Sequence, residues 1–165
     1  MSTLQTHKTI AEIFGIWAGI AGAFIGGGFA AAQYLEAKQD QRVARVMEFR
    51  NEFQSENLIN ARKEIAAAWS DLTGLDEAAR SDAAYREYAL QKDRPVIGYI
   101  IDVAEFYDSL AICIRSGLCD SNTALDFFGA ESVRFFQAHY HMIADIQVAY
   151  GTREFGTLMS EFAKQ

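Results

Sequence analysis

From Ile13 to Ala32 the chain reads IFGIWAGIAGAFIGGGFAAA, without one charged side chain. An α-helix rises about 1.5 Å per residue, so a stretch of this length covers about 30 Å, the thickness of a bilayer's hydrocarbon core. The sequence therefore predicts a transmembrane helix over 13–34, preceded by a short N-terminal tail, 1–12. A cleaved signal peptide is the rival reading, with Lys8 as its basic region and Ala30-Ala31-Ala32 as a small-residue cleavage site. The apolar stretch is longer than the core of such peptides, and Glu12 stands beside it, which favours a retained helix.

The span is rich in glycine. Gly15, Gly19, Gly22 and Gly26 follow one another at spacings of four, three and four, which places them on one face of a helix. They form two GxxxG units. In lipid, helices are not driven together by the hydrophobic effect, and close backbone approach past small residues is what lets them associate. These four glycines are the expected helix-packing face, with Ile16, Ile20, Phe24 and Phe29 off it. The bland alternative is that glycine and alanine are simply common in membrane helices. Trp17 and Tyr34 lie near opposite ends of the span, where amphipathic rings anchor at the interface.

Flanking charge predicts the orientation. Lys8 alone precedes the span, whereas Lys38, Arg42, Arg45 and Arg50 follow it. Lysine and arginine are retained on the cytoplasmic side, so the N-terminus is expected outside and the remainder in the cytoplasm. Lys8 and Glu12 cancel, and the net charge of −7 belongs to the part after the span. An acidic body lacks the basic footprint of a nucleic-acid binder and is ill suited to lie flat on anionic lipid. The two cysteines, Cys113 and Cys119, are expected to be reduced in a cytoplasmic body, with a disulfide at this spacing as the alternative.

After the span the patterning is helical throughout, so the expected fold is all-α: one transmembrane helix, a helical stalk over 35–54, and a cytoplasmic multi-helix bundle over 55–165. The stalk carries Val43, Val46, Met47 and Phe53 at near-helical spacing. Ser55 suits the cap of a second helix and Glu56 its first turn. Leu58, Ile65, Ala68, Trp69 and Leu72 form its apolar stripe, and Thr73-Gly74 stops it. A polar stretch, Asp76 to Asp93, reads as helix. Pro95 then opens the most strongly patterned segment, Val96 to Ser116. There Tyr99, Val103, Phe106, Leu110 and either Cys113 or Ile114 line one face, and Ile97, Ile100, Ile101, Tyr107 and Ala111 widen it. Gly117 ends that helix, and Asp120 or Ser121 caps a short one that closes at Phe127-Phe128-Gly129. Glu131 to Tyr150 is a long amphipathic helix whose face is read as Val133, Phe136, Tyr140, Ile143, Ile146 and Tyr150. Gly151 ends it, and Thr152 caps a last helix.

No reaction is spelled out. Asp102, Glu105 and Asp108 lie three apart, but no Glu-x-x-His accompanies them, and they read as a solvated face rather than a metal site. His139 and His141 are two apart, so on a helix they point apart and do not share a metal. The triple glycine Gly26-Gly27-Gly28 lacks the strand and the Lys-Ser/Thr of a phosphate loop. Phe127, Phe128, Phe135 and Phe136 read as core, with a partner-binding patch as the alternative. No catalytic residue, cofactor or metal is expected.

The segment FYDSLAICIRSGLCDSNTALDFFG, Phe106 to Gly129, resembles an uncharacterised family of small bacterial single-span membrane proteins with a C-terminal helical domain of unknown function. The pattern there is an aromatic-led helix, an R-x-G-x-[ILC]-[DS] break and a short helix ending in Phe-Gly. Arg115, Gly117, Asp120, Phe128 and Gly129 match it, and Arg153 matches an arginine after the next long helix. The resemblance covers residues 8–160 and implies an architecture without an activity. The expected function is that of a non-enzymatic accessory or scaffold subunit of a larger inner-membrane complex, docking through the glycine face and the acidic body. The alternative is a signalling or defence module that associates with further copies of itself in the bilayer.

Overall fold

The computed structural model describes residues 3–73, 96–151 and 155–158, and their side chains except those of 3–21, 23–25, 69, 71–73 and 150. Every element among the described residues is helical and no strand occurs among them, as the all-α reading expects. The elements are α1 (Thr3–Phe53), α2 (Glu56–Thr73), α3 (Val96–Arg115), α4 (Ser121–Ala124), a π-helical turn π1 (Leu125–Gly129) and α5 (Ala130–Tyr150). The segments 76–93 and Pro95 lie outside this description, as does the last expected helix except for 155–158, where Phe155 and Leu158 pack half-buried against the core. The chain divides into two compact units, Met1–Asp40 and Gln41–Gln165.

In the first unit the backbone is continuous helix from Thr3. The described side chains from Phe29 through Asp40 are all exposed, among them Phe29, Tyr34 and Leu35. A Cβ added at Gly22, Gly26, Gly27 or Gly28 meets nothing within 4 Å. Among the described residues no helix is long and apolar enough to cross a membrane. Most of the expected span falls on residues whose side chains lie outside the description, Gly15, Trp17 and Gly19 among them.

The second unit has one core. Val46 and Phe53 from the end of α1, Leu58, Ala61, Ile65 and Ala68 from α2, and Val96 to Cys113 of α3 bury their apolar atoms together. Phe128, Met142, Ile143 and Ile146 complete it from the C-terminal side. Its centre is aromatic. Phe106 stands edge-on to Phe128 at 5.6 Å and to Phe49 at 5.9 Å, and tilts against Phe53 at 4.9 Å. Offset and edge contacts of this kind suit the ring quadrupoles and add to the area buried. On α3, Val103, Phe106 and Leu110 are buried as expected, while Tyr99 is only half-buried.

The local signals act where they were expected. Ser55 precedes α2 and its carbonyl accepts the N–H of Ile59 at 2.9 Å. Asp120 caps α4, its carboxylate accepting from the Thr123 N–H at 2.9 Å and from the Thr123 hydroxyl at 2.7 Å. Gly117 and Gly151 adopt φ of +71° and +67°, the left-handed conformation in which glycine avoids a Cβ clash.

Three expectations are corrected. Cys113 and Cys119 are joined in a disulfide, with Cα atoms 5.2 Å apart. Residues six apart on a straight helix stand about 9 Å apart along its axis. The left-handed Gly117 folds the chain back, and the N–H groups of Leu118 and Cys119 both return to the Cys113 carbonyl at 3.0 and 3.1 Å. So small a covalent loop stabilises the turn by about 2 kcal/mol in the chain-entropy account. Second, the chain does not break at Phe128-Gly129. Gly129 is right-handed helical (φ −56°, ψ −54°), and π1 leads straight into α5. Third, the buried face of α5 keeps Ile143 and Ile146 as expected but is shifted away from Tyr140. Ser132, His139, Met142, Ile143 and Ile146 are buried, and Tyr140 is 52 % exposed. The apolar stripe of α5 is broad enough to fit two face centres one residue apart; Phe135 and Phe136 both pack half-buried against the core, and the neighbours bury His139 rather than Tyr140.

Candidate functional site

A cavity of about 380 Å³ opens between α2, α3 and α5 of the second unit. Helical spacing supplies its walls: Arg62, Ile65 and Ala66 at i, i+3, i+4 on α2, and Val103 and Tyr107 at i, i+4 on α3. Glu131, Arg134, Phe135 and His139 face it from α5.

Arg62 organises one side. Its Nη2 donates to the Phe53 carbonyl at 3.0 Å, its Nε to the Leu58 carbonyl at 3.3 Å, and its Nη1 to Glu131 Oε1 at 3.4 Å. The guanidinium also lies 3.9 Å from the centre of the Phe53 ring. One side chain thus ties the last carbonyls of α1, the first turn of α2 and the start of α5. Arg134, which is exposed, uses only its Nε in this way, donating to the Ala130 carbonyl at 3.1 Å.

Tyr107 is fully buried, and its hydroxyl oxygen has no hydrogen-bond partner. Desolvation, with the Glu131 carboxylate second, holds its pKa far above the ordinary phenol range, against the pull of Arg62 and Arg134. The group is a neutral phenol at any physiological pH. A buried hydroxyl left without a partner costs about 1–3 kcal/mol, and such groups are rare enough in folded proteins to need a reason.

His139 is buried against Phe135, ring centroids 4.4 Å apart, and its Nδ1 lies 2.8 Å from the Phe135 carbonyl. A carbonyl only accepts, so Nδ1 carries the hydrogen. Burial lowers the pKa of His139, and the bond to Phe135 only partly offsets that. The unfolded chain therefore binds the proton more readily. Stability is full above the ordinary histidine pKa of about 6.5 and is lost as pH falls below it, by at most about 1.4 kcal/mol per pH unit. Urea midpoints of the wild type should fall between pH 7.5 and pH 5.5 more steeply than those of His139→Gln. Parallel pH profiles would remove His139 as the cause.

Other residues singled out in the sequence do not converge. Asp102 and Glu105 are exposed, and Asp108 accepts the Gly156 N–H at 2.6 Å. His141 is exposed, on the other side of α5 from His139. Among the described residues no group of three or more His, Cys, Asp or Glu could hold a metal ion. Phe128 is core, but Phe127 is 38 % exposed with the Arg50 guanidinium 4.6 Å above its ring. Tyr34 is exposed, and Gly22 and Gly26 have open space beside them. The cavity residues Arg62, Tyr107, Glu131 and Arg134 were not apparent as a set. The one hint in the sequence is Arg62 standing between Leu58, Ala61 and Ile65, a charge set in an apolar stripe.

Fold and site together define an all-helical domain with a small mixed-polarity cavity. The chain belongs to the DUF4760 family, a domain of unknown function, which matches residues 10–164. No curated protein and no solved structure matches it. The resemblance to an uncharacterised family is thereby sustained.

Proposed function

We propose that this protein is a non-enzymatic, membrane-anchored accessory or scaffold subunit of bacterial inner-membrane origin. It docks on a larger complex through the glycine face of 13–34 and through its acidic helical body. The observation that carries the reading is the uncharged stretch Ile13–Ala32 with Gly15, Gly19, Gly22 and Gly26 on one helical face.

Replacing Gly22 by leucine should leave membrane insertion intact, since leucine is the more favourable residue in hydrocarbon. It should reduce recovery of the partner at least severalfold after mild detergent extraction, because a close crossing has no room for the added volume. Ile16→Leu, off the stripe, is the control. Stoichiometric co-purification of a larger complex supports the subunit reading. A homo-oligomer alone supports the self-associating signalling or defence module. Unchanged association of both Gly19→Leu and Gly22→Leu would leave the stripe as composition.

Flanking charge places the body in the cytoplasm. A second reading of the topology is favoured by the Cys113–Cys119 disulfide, because such bonds persist in oxidising compartments. The two readings predict opposite outcomes. With a cytoplasmic body, a reporter fused at Gln165 is active only inside and both cysteines are alkylated in cells without reductant. With an exported body, a periplasmic reporter is active and neither cysteine reacts.

A further inference from the structure

We propose that the cavity between α2, α3 and α5 binds a small organic monocarboxylate. Arg134 and the Tyr107 hydroxyl hold its carboxylate, and Ile65, Val103 and Phe135 hold its apolar body. This goes beyond the docking role, which needs no ligand.

Three observations converge. The first is the Tyr107 hydroxyl, a donor buried with no acceptor. Folding leaves it desolvated and uncompensated, a state that a bound acceptor relieves. The second is the charge in the walls. Arg62 and Glu131 form an ion pair at 3.4 Å, and the other nitrogens of Arg62 are taken by the Phe53 and Leu58 carbonyls. Arg134 uses only Nε, so its two terminal nitrogens remain for a planar, two-oxygen acceptor. One uncompensated positive charge calls for one negative charge. A phosphate dianion would leave excess negative charge beside Glu131. The third is shape. About 380 Å³ falls within the usual range for small-molecule sites, about 300–1,000 Å³, and walls that are largely apolar with a few convergent polar groups are the usual lining of such sites.

The test uses the full chain in a non-ionic detergent with benzoate as the probe. Benzyl alcohol is the neutral isostere, and inorganic phosphate is the bare anion. At millimolar concentration benzoate should raise the melting temperature saturably, and the two controls should not. Arg134→Gln, a change at an exposed position, should weaken benzoate about tenfold or more. Tyr107→Phe should weaken benzoate severalfold, yet raise the melting temperature in its absence, because the stranded hydroxyl is gone. That opposition separates a ligand role from a structural one. The proposal is overturned by any of four results: no shift with benzoate, an equal shift with benzyl alcohol, an equal shift with phosphate, or a Tyr107→Phe variant less stable than wild type without ligand. The last would mean that a water already satisfies the hydroxyl and that the cavity only holds solvent.

Discussion

Phe106→Ala lowers the free energy of unfolding by about 3–5 kcal/mol, the range for removing a buried phenylalanine side chain. Phe106 is 4 % exposed and contacts Tyr107 beside it and rings from two other segments, Phe49 and Phe53 at the end of α1 and Phe128 in π1. Four aromatic neighbours are too rigid to collapse into the space left behind, so the value should lie toward the upper end of that range. The measurement is a urea titration of the full chain in a non-ionic detergent, with Ile112→Ala as control. Ile112 is on the same helix but 49 % exposed, and its loss should cost well under 1 kcal/mol. An unchanged midpoint for Phe106→Ala would mean that this aromatic cluster does not hold the body together.

Gly156→Ala is the second large effect, and nothing in local sequence marks it. Gly156 is buried with φ of +73°, a conformation that costs other residues about 1–2 kcal/mol. A Cβ there would stand 2.6 Å from Ile143 Cγ2, and Ile143 is itself buried in the core. Overpacking of that kind costs about 1–3 kcal/mol. Together the terms give a loss of about 2–5 kcal/mol. The Gly156 N–H also donates to Asp108 across 48 residues of sequence, so a shift to relieve the clash disturbs that bond as well. Gly98→Ala is the contrast. It lies in α3 with nothing within 4 Å of an added Cβ, and alanine there should stabilise by about 0.5–1 kcal/mol. If both glycines tolerate alanine equally, Ile143 moves freely and the close approach is not a constraint.

The aromatic face of α3 was legible because Val103, Phe106 and Leu110 repeat at three and four with charges between them, and a helix so patterned has one way to lie on a core. On α5 the same reasoning chose Tyr140, which is exposed, over His139, which is buried. Apolar residues occupy both candidate faces there, so periodicity alone had no preference. The site was less legible still. Its polar residues are spread over three helices, Arg62 on α2, Tyr107 on α3 and Glu131, Arg134 and His139 on α5, and each alone reads as an ordinary surface charge or core ring.

By itself the sequence determined what depends on residues within about one helical turn of each other. That covers the helical class, the left-handed ends at Gly117 and Gly151, and the Asp120 cap. Each is a contest between a side chain or a missing Cβ and its own backbone, so a few neighbouring residues decide it. Only the tertiary structure decided the Cys113–Cys119 bond, the buried face of α5, the Gly156–Ile143 contact and the cavity. Arg62 and Glu131 are 69 residues apart in the chain. Whether they meet depends on how three helices rotate about their axes to pack the rings of Phe53, Phe106 and Phe128, and that rotation is a property of the whole core.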